Sequence, residues 1–340
     1  MKKIYLNRCF TTTSQLIEQL HQNPLKESFE LIISHSMPNH YLQSHASHFE
    51  IEPTLTGQAY AGYILNNLKT HSPDFFLPRY QVIDLVKFAH LFEKLGVPTM
   101  FVTSEENYQL IENKVALYED LKSTGIIPIP DTHIVSNLEE FQDSYQKIKA
   151  SGWSSVCYKP IQGIGGEGFK RIRESIGIAD ELFLSSAVQI SKERVEDSLS
   201  RVENVTPFML SGFMEGDEYS VDCLAKDGEL LLAIPRKKVD KYRQNLELVP
   251  ELIQIAKEIT KRYNMSYLFN IQVKYHKGIP YLVEMNTRTS GGLYKAYATG
   301  ANMLYESVRL LEGKEPTIEM DDVNWNVQTF DHLTFGTHSI

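Results

Sequence analysis

Tyr281-Leu-Val-Glu-Met-Asn-Thr-Arg288, followed by Thr289-Ser-Gly-Gly292, is the stretch on which the reading of this chain turns. Side chains on a β-strand alternate faces, so Glu284 and Asn286 point one way on a face begun by Leu282, while Tyr281, Val283 and Met285 fill the other. An acid and an amide two positions apart, about 7 Å between Cα atoms, supply oxygen ligands that can grip one hard cation or bridge two. Arg288 continues that face with a planar cation suited to phosphate. Carboxylate, amide and guanidinium in one row form the donor set of a Mg-nucleotide site.

The segment before it supports the same reading. Asn270-Ile-Gln-Val-Lys274 alternates polar and apolar, and Tyr-His-Lys-Gly-Ile-Pro leads from it into the Glu284 strand. Gly278 can supply the positive φ of a hairpin turn, and Pro280 sits at a strand start, where proline is tolerated. A hairpin centred on Gly278 sets Gln272 opposite Glu284 and gathers three oxygen donors, Gln272, Glu284 and Asn286, on one patch. A slip of one residue would turn Gln272 to the other face. An ordinary amphipathic hairpin with a solvated polar face is the alternative.

A chain of 340 residues has room for about two domains with substantial cores. Hydrophobic content of 42% and charged content of 23% are those of a soluble globular protein. The net charge of −9 argues against a protein built to grip nucleic acid or an anionic membrane, although local cations still permit ATP binding. Cys9, Cys157 and Cys223 have neither zinc-ligand spacing nor the density of a secreted disulfide framework, so a reduced, cytoplasmic location is expected. No window approaches 18 consecutive apolar residues, and no membrane span is expected.

Strands at Ile4–Leu6, Glu30–Ser34, Phe75–Leu77 and Thr99–Val102 alternate with helices at Thr13–Gln22, Ala59–Leu68 and Asp84–Leu95. This βαβα rhythm implies a Rossmann-like parallel sheet over residues 1–112. The first strand lacks a glycine fingerprint, which argues against dinucleotide binding there. Helices at Lys114–Ser123 and after Asn137 follow, then strands at Ser155–Lys159 and Phe169–Ile172. Strands near 207–213, 218–225 and 230–236 precede a helix near 250–263, the hairpin, and a helix over 300–312. The tail from about 320 has weak periodicity and carries no readable role.

Lys159-Pro-Ile-Gln-Gly163-Ile-Gly165-Gly166-Glu-Gly168 contains G-x-G-x-x-G, a dinucleotide signature only between a strand and a helix. Here strand-like Phe169-Lys-Arg-Ile-Arg173 follows, so the loop joins two strands. Such a hairpin can close over a triphosphate with its backbone N–H groups, or serve as a flexible surface turn. Lys159 ends the incoming strand, placed to meet phosphate oxygens. In Pro207-Phe-Met-Leu-Ser-Gly-Phe-Met-Glu215-Gly-Asp-Glu218, an extended segment can meet an adenine edge, and Glu218 is either a ribose ligand or an exposed turn acid.

Taken in order, these motifs resemble the ATP-grasp superfamily, most closely its carbamoyl-phosphate-synthase large-subunit-like branch. The resemblance rests on Lys114 with the later Gly-Ile-Ile-Pro-Ile-Pro, the Lys159 strand and glycine loop, Glu215-Gly-Asp-Glu218, Asn270-Ile-Gln-Val, and Glu284-Met-Asn-Thr-Arg288, and covers about residues 1–313. It implies an α/β pre-ATP-grasp domain over 1–112 and a two-lobed α+β ATP-grasp domain over 113–315. The smaller lobe, about 125–210, would carry the glycine flap, with nucleotide bound between antiparallel sheets, and 316–340 would form a tail. It implies that Lys114 and Lys159 bind ATP phosphates beneath Gly165, Gly166 and Gly168. Leu210–Met214, with Ser211, Gly212 and Met214, would contact adenine, and Glu218 the ribose. Gln272, Glu284 and Asn286 would hold Mg²⁺ or Mn²⁺, with Arg288 and Lys159 acting on the transferred phosphoryl group.

Family members activate a carboxylate as an acyl phosphate for attack by an amine or similar nucleophile, so an ATP-dependent C–N ligase with small-molecule substrates is the leading expectation. The chemistry needs positioning and charge neutralisation more than a side-chain nucleophile. Ser211 stands where the family often has an acid, and Thr287 where it commonly has proline. A nucleotide-binding regulatory protein without turnover and a phosphotransferase to another acceptor are the competing classes. Genuine carbamoyl phosphate synthesis fits less well, since that subunit carries two such halves. A homodimer is the expected assembly because such dimers are the commonest oligomers. Arg236 could approach the triphosphate or belong to a solvated basic turn. His35, His40, His45 and His48 form a loose cluster without a compact metal motif, and Cys157 and Cys223 read as core residues.

Overall fold

Short apolar runs become the strands of a parallel sheet in the computed structural model, which describes residues 1–9, 12–161, 168–177, 188–318, 320 and 324–329. Strands β1 (Lys2–Asn7), β2 (Phe29–His35), β3 (His48–Ile51) and β4 (Phe75–Leu77) lie in the order β3-β2-β1-β4. Their pairings are all parallel. Helices Thr13–His21 and Gly57–His71 link them, as parallel pairing requires of a crossover connection. The expected strand at Thr99–Val102 contributes only a bridge between Phe76 and Thr99. Its entry residue Pro98 has no N–H to extend a ladder.

The chain divides into two units. The first comprises Met1–Gln109, Tyr219–Gln272 and the described residues from Met285 on. Besides the parallel sheet it holds most of a six-stranded sheet ordered β14-β13-β10-β11-β12-β15, whose residues 273–284 belong to the second unit. These strands are β10 (Glu218–Lys226), β11 (Glu229–Lys238), β12 (Arg243–Glu247), β13 (Tyr267–His276), β14 (Ile279–Asn286) and β15 (Asn324–Gln328). One apolar cluster of this unit includes Ile4, Leu6, Leu16, Leu224, Ile234, Leu268 and Leu304.

The second unit comprises Leu110–Glu218 and Val273–Glu284. Its sheet runs β5-β9-β6-β7-β8, with β5 (Thr132–Val135), β6 (Val156–Pro160), β7 (Lys170–Arg173), β8 (Gln189–Ser191) and β9 (Phe208–Gly212). Helix Leu138–Ala150 covers it through Phe141, Tyr145 and Ile148, buried at helical spacing with Val156, Ile172 and Leu210. The Asn137 side chain accepts from Glu140 N and caps this helix, the role its sequence position predicts. The mixed α/β class expected from the sequence holds.

The turn between β13 and β14 differs from the expectation. Lys277 (φ 51°) and Gly278 (φ 79°) both adopt left-handed backbone, and β13 ends at His276 where β14 begins at Ile279. This is a two-residue hairpin loop of the type I′ class, not one centred on Gly278. Trp153 stacks on His276, with ring centroids 4.5 Å apart, and meets Tyr281 at 5.3 Å. Those two side chains therefore share a face, as a turn of this length requires. Farther along, Leu282 O and Val283 O both accept from Tyr118 OH, at 3.2 and 2.8 Å.

Candidate active site

Asn113 opens the helix Lys114–Lys122, its side chain accepting from Val115 N and Ala116 N. Lys114 and Tyr118 lie one turn apart and so share a helix face. Lys114 Nζ approaches Glu284 Oε2 to 4.0 Å, with both side chains largely shielded from solvent. Lys159, in β6, reaches the same neighbourhood from the sheet. Its Nζ donates to Tyr118 OH at 3.0 Å and Val283 O at 3.1 Å, with the Tyr118 ring centroid 5.1 Å away.

The electrostatics follow from that crowding. Burial lowers the Lys114 ammonium below its ordinary value; Glu284 opposes the shift and Lys159 adds to it. Burial also pulls on Lys159, but Tyr118, Cys157 and Glu284 together hold its ammonium above the usual lysine range. Lys114 and Lys159 thus meet Glu284, and Glu112 is a second carboxylate acting on Lys114. Ammonium and carboxylate groups side by side suit an anionic ligand that carries its own cation. Tyr118, which sequence reasoning missed, fixes Lys159. Its i+4 spacing from Lys114 was the available signal.

The glycine loop joins β6 to the antiparallel β7, so it is a strand-to-strand connection as expected, and the dinucleotide fingerprint fails. Gly165 and Gly166 lie outside the described residues. Gly168 has φ +72°, and a Cβ there would lie 2.7 Å from Pro160 Cγ, which makes glycine necessary where the loop rejoins the sheet.

Ser211 and Gly212 occupy β9, flanked by β5 and β6. Ser211 Oγ lies 2.8 Å from Thr132 Oγ1. Gly212 N donates to Asp131 O at 3.0 Å and Phe213 N to Ser155 O at 2.8 Å. Ser211 and Gly212, expected at the adenine, are thus held in register by both neighbouring strands. Met214 is buried in the core of its unit. Glu218 opens β10 half-buried, its Oε2 3.6 Å from Lys274 Nζ, so it is not an exposed turn acid. The Phe213 ring carries Lys274 on it at 5.0 Å and Arg171 at 4.3 Å.

In the first unit, Gln272 and Asn286 are half-buried on β13 and β14, and Arg288 is half-buried just beyond, donating to Thr289 O at 3.2 Å. Arg236 belongs to no solvated turn; it is 2% exposed in β11. It donates to Asp222 Oδ2 at 2.6 Å, Ser290 Oγ at 2.7 Å, Ser220 Oγ at 3.1 Å and Gln244 Oε1 at 2.5 Å. A Cβ at Gly292 would lie 2.4 Å from Arg236 Nη1. The buried arginine therefore holds the Thr289–Gly292 loop by Ser290 and is packed beneath Gly292.

Arg79 was also missed from the sequence. It follows β4 and is 6% exposed, donating to Thr289 Oγ1, while its Nε has no hydrogen-bond partner among the described residues. Burial lowers the guanidinium to about 10, with Cys9 opposing and Arg288 reinforcing the shift. Its position after a parallel strand was the readable signal, since α/β sheets bind ligands beyond their carboxyl ends.

The model of the family described as ATP-grasp in the biosynthetic pathway with Ter operon matches residues 204–332. Over that stretch the chain resembles ATP-grasp proteins. Among curated relatives, the carbamoyl phosphate synthase large chain of Clostridium acetobutylicum is 24% identical over 271 residues, 75% of this chain and 24% of that one. The chain thus spans about a quarter of that relative's length. The biotin carboxylase domain of Hydrogenobacter thermophilus 2-oxoglutarate carboxylase, solved with MgADP and bicarbonate, has a similar fold, with a TM-score of 0.62 at 16% identity. The match covers 95% of this chain and 72% of that one. L-amino acid ligase from Bacillus licheniformis aligns with a TM-score of 0.61 at 15% identity, covering 92% and 74%. The likeness of fold agrees with the ATP-grasp resemblance read from the sequence. Among the described residues, no helix is long and apolar enough to cross a membrane.

Proposed function

We propose that this chain is an ATP-dependent ligase that activates a small carboxylate as an acyl phosphate and passes the acyl group to an amine or similar nucleophile. The observation that carries this reading is the cluster of Lys114, Lys159 and Tyr118 around Glu284, held by helix, sheet and hairpin groups. The donors suit a hard cation and its nucleotide: the Glu284 carboxylate and the amide oxygens of Gln272 and Asn286 are half-buried, oxygen-only ligands. Mg-ATP, when bound, supplies the phosphoryl group.

In this reading Lys114 and Lys159 neutralise phosphate oxygens, Gly168 with Gly165 and Gly166 covers them, and Glu218 takes the ribose. The Leu210–Met214 stretch, with Ser211, Gly212 and Met214, contacts adenine. Arg288 stabilises charge on the transferred group. Arg79, buried and sharing its surroundings with Arg288, reads the substrate carboxylate. The carboxylate oxygen attacks the terminal phosphorus as the bond to ADP breaks. The nucleophile then attacks the acyl carbon and inorganic phosphate leaves. The parallel sheet of residues 1–112 serves as a pre-ATP-grasp domain ahead of the ATP-grasp part at 113–315, and small-molecule substrates and a homodimer complete the reading.

The test is ADP release from Mg-ATP across pooled carboxylic acids and amines, comparing wild type with Glu284→Ala. Release that depends on acid plus amine and disappears in the variant supports the ligase. Wild-type turnover by a folded Glu284→Ala protein overturns the metal and phosphate assignment.

A further inference from the structure

The four histidines after the second strand do not converge. His35 stacks on His40 with ring centroids 3.9 Å apart, and His40 Nδ1 accepts from Leu42 N to cap the turn Tyr41–His45. His48 instead joins two residues outside that group. In β3 the His48-Phe-Glu50 spacing turns His48 and Glu50 to one face. His71, the last residue of helix Gly57–His71, meets them there. The three ligand atoms lie within 4.8 Å of one another. His48 Nε2 is 3.2 Å from Glu50 Oε1, and His71 Nε2 bonds the same oxygen.

The carboxylate is held for this. Glu50 Oε2 accepts from Asn67 Nδ2 at 2.7 Å and Tyr63 OH at 3.4 Å. Asn67 also donates to Tyr5 OH at 3.0 Å, and Tyr5 bonds Ser34 Oγ at 2.9 Å in the core. One oxygen is thus tied to buried groups while the other faces two imidazole nitrogens, the outer support expected behind a metal-ligating carboxylate. The half-exposed His48 leaves an approach from solvent, with side-chain exposures of 50%, 21% and 17% for His48, Glu50 and His71.

We propose that His48, Glu50 and His71 form a three-ligand site for a divalent transition metal of the zinc type, with water completing the shell. Two imidazoles and one carboxylate suit zinc, which tolerates this mixture, whereas magnesium and calcium prefer oxygen alone. The site is separate from the oxygen donors assigned to the nucleotide metal. Bound there, the ion ties the four-residue edge strand β3 to the end of the helix.

The test is calorimetric titration of the metal-stripped full chain with zinc chloride, without nucleotide. Alongside it, His71→Gln and His48→Gln are titrated, with far-UV circular dichroism as the folding control. Wild type should bind one equivalent that both variants lose, and zinc should raise the melting temperature of wild type only. Asn67→Ala should weaken that equivalent about 10–100-fold, as removal of a supporting group does. Cobalt chloride should give visible absorption bands in wild type that vanish in the variants. No zinc equivalent in wild type, or equal binding in a folded variant, overturns the proposal. Should His71→Gln fail to fold, the exposed His48→Gln decides.

Discussion

Replacing Tyr118 by Phe removes one oxygen and keeps the ring, which makes it a sharp test of how Lys159 is held. The hydroxyl accepts from Lys159 Nζ at 3.0 Å and donates to Val283 O at 2.8 Å. Without it, Val283 O still has Lys159 Nζ at 3.1 Å, while Leu282 O loses the longer contact at 3.2 Å. The ammonium also keeps the ring, whose centroid is 5.1 Å away. The loss is one hydrogen bond to a charged group, worth about 1.5–3 kcal/mol, and the surviving partners favour the lower end. If that bond orients Lys159 for phosphate, ATP affinity falls about tenfold, since about 1.4 kcal/mol corresponds to a factor of ten. Titration calorimetry of ATP against wild type, Tyr118→Phe and Lys159→Ala reads this directly. Tyr118→Phe should fall between the other two. Wild-type affinity in a folded Tyr118→Phe protein, beside a weakened Lys159→Ala protein, refutes the positioning role.

Three further outcomes follow from packing and charge. Gly212→Ala places a methyl 2.1 Å from the Trp153 indole, an overpacking that should cost about 1–3 kcal/mol in urea unfolding. Asp222→Ala strips the carboxylate from the buried Arg236, which is 2% exposed; breaking such a pair costs about 3–5 kcal/mol, measured as a fall in the unfolding midpoint. Burial pushes the Cys157 thiol up to about 12 and Cys9 up to about 11. Both remain protonated at pH 8, where thiolate is the reactive form. A thiol reagent should therefore label neither in the native protein and both once it is unfolded in guanidinium. Rapid native labelling of Cys157 would contradict the burial.

Much of the fold is legible in local pattern. Alternation over Asn270–Lys274 and Tyr281–Asn286 identified two strands, and Phe141, Tyr145 and Ile148 at helical spacing identified a covering helix. These are short-range signals, set by which faces of an element must leave water. The edge strand Asn324–Gln328 was not legible. It is mostly exposed, so no hydrophobic period marks it, and its order comes from pairing with Arg243–Glu247.

The sequence by itself determined the chemistry on offer: lysines, oxygen donors and a glycine loop, in an order that resembles ATP-grasp proteins. Tertiary structure alone decided which of them meet. Tyr118 at Lys159, Arg236 under Ser290, and His71 beside His48 and Glu50 join residues 41, 54 and more than 20 positions apart. Such pairs leave no periodic trace, because their energy comes from partners on different elements. A buried guanidinium reads the same in sequence as a solvated one, and only its surroundings, by withholding water and supplying a carboxylate, assign it a role.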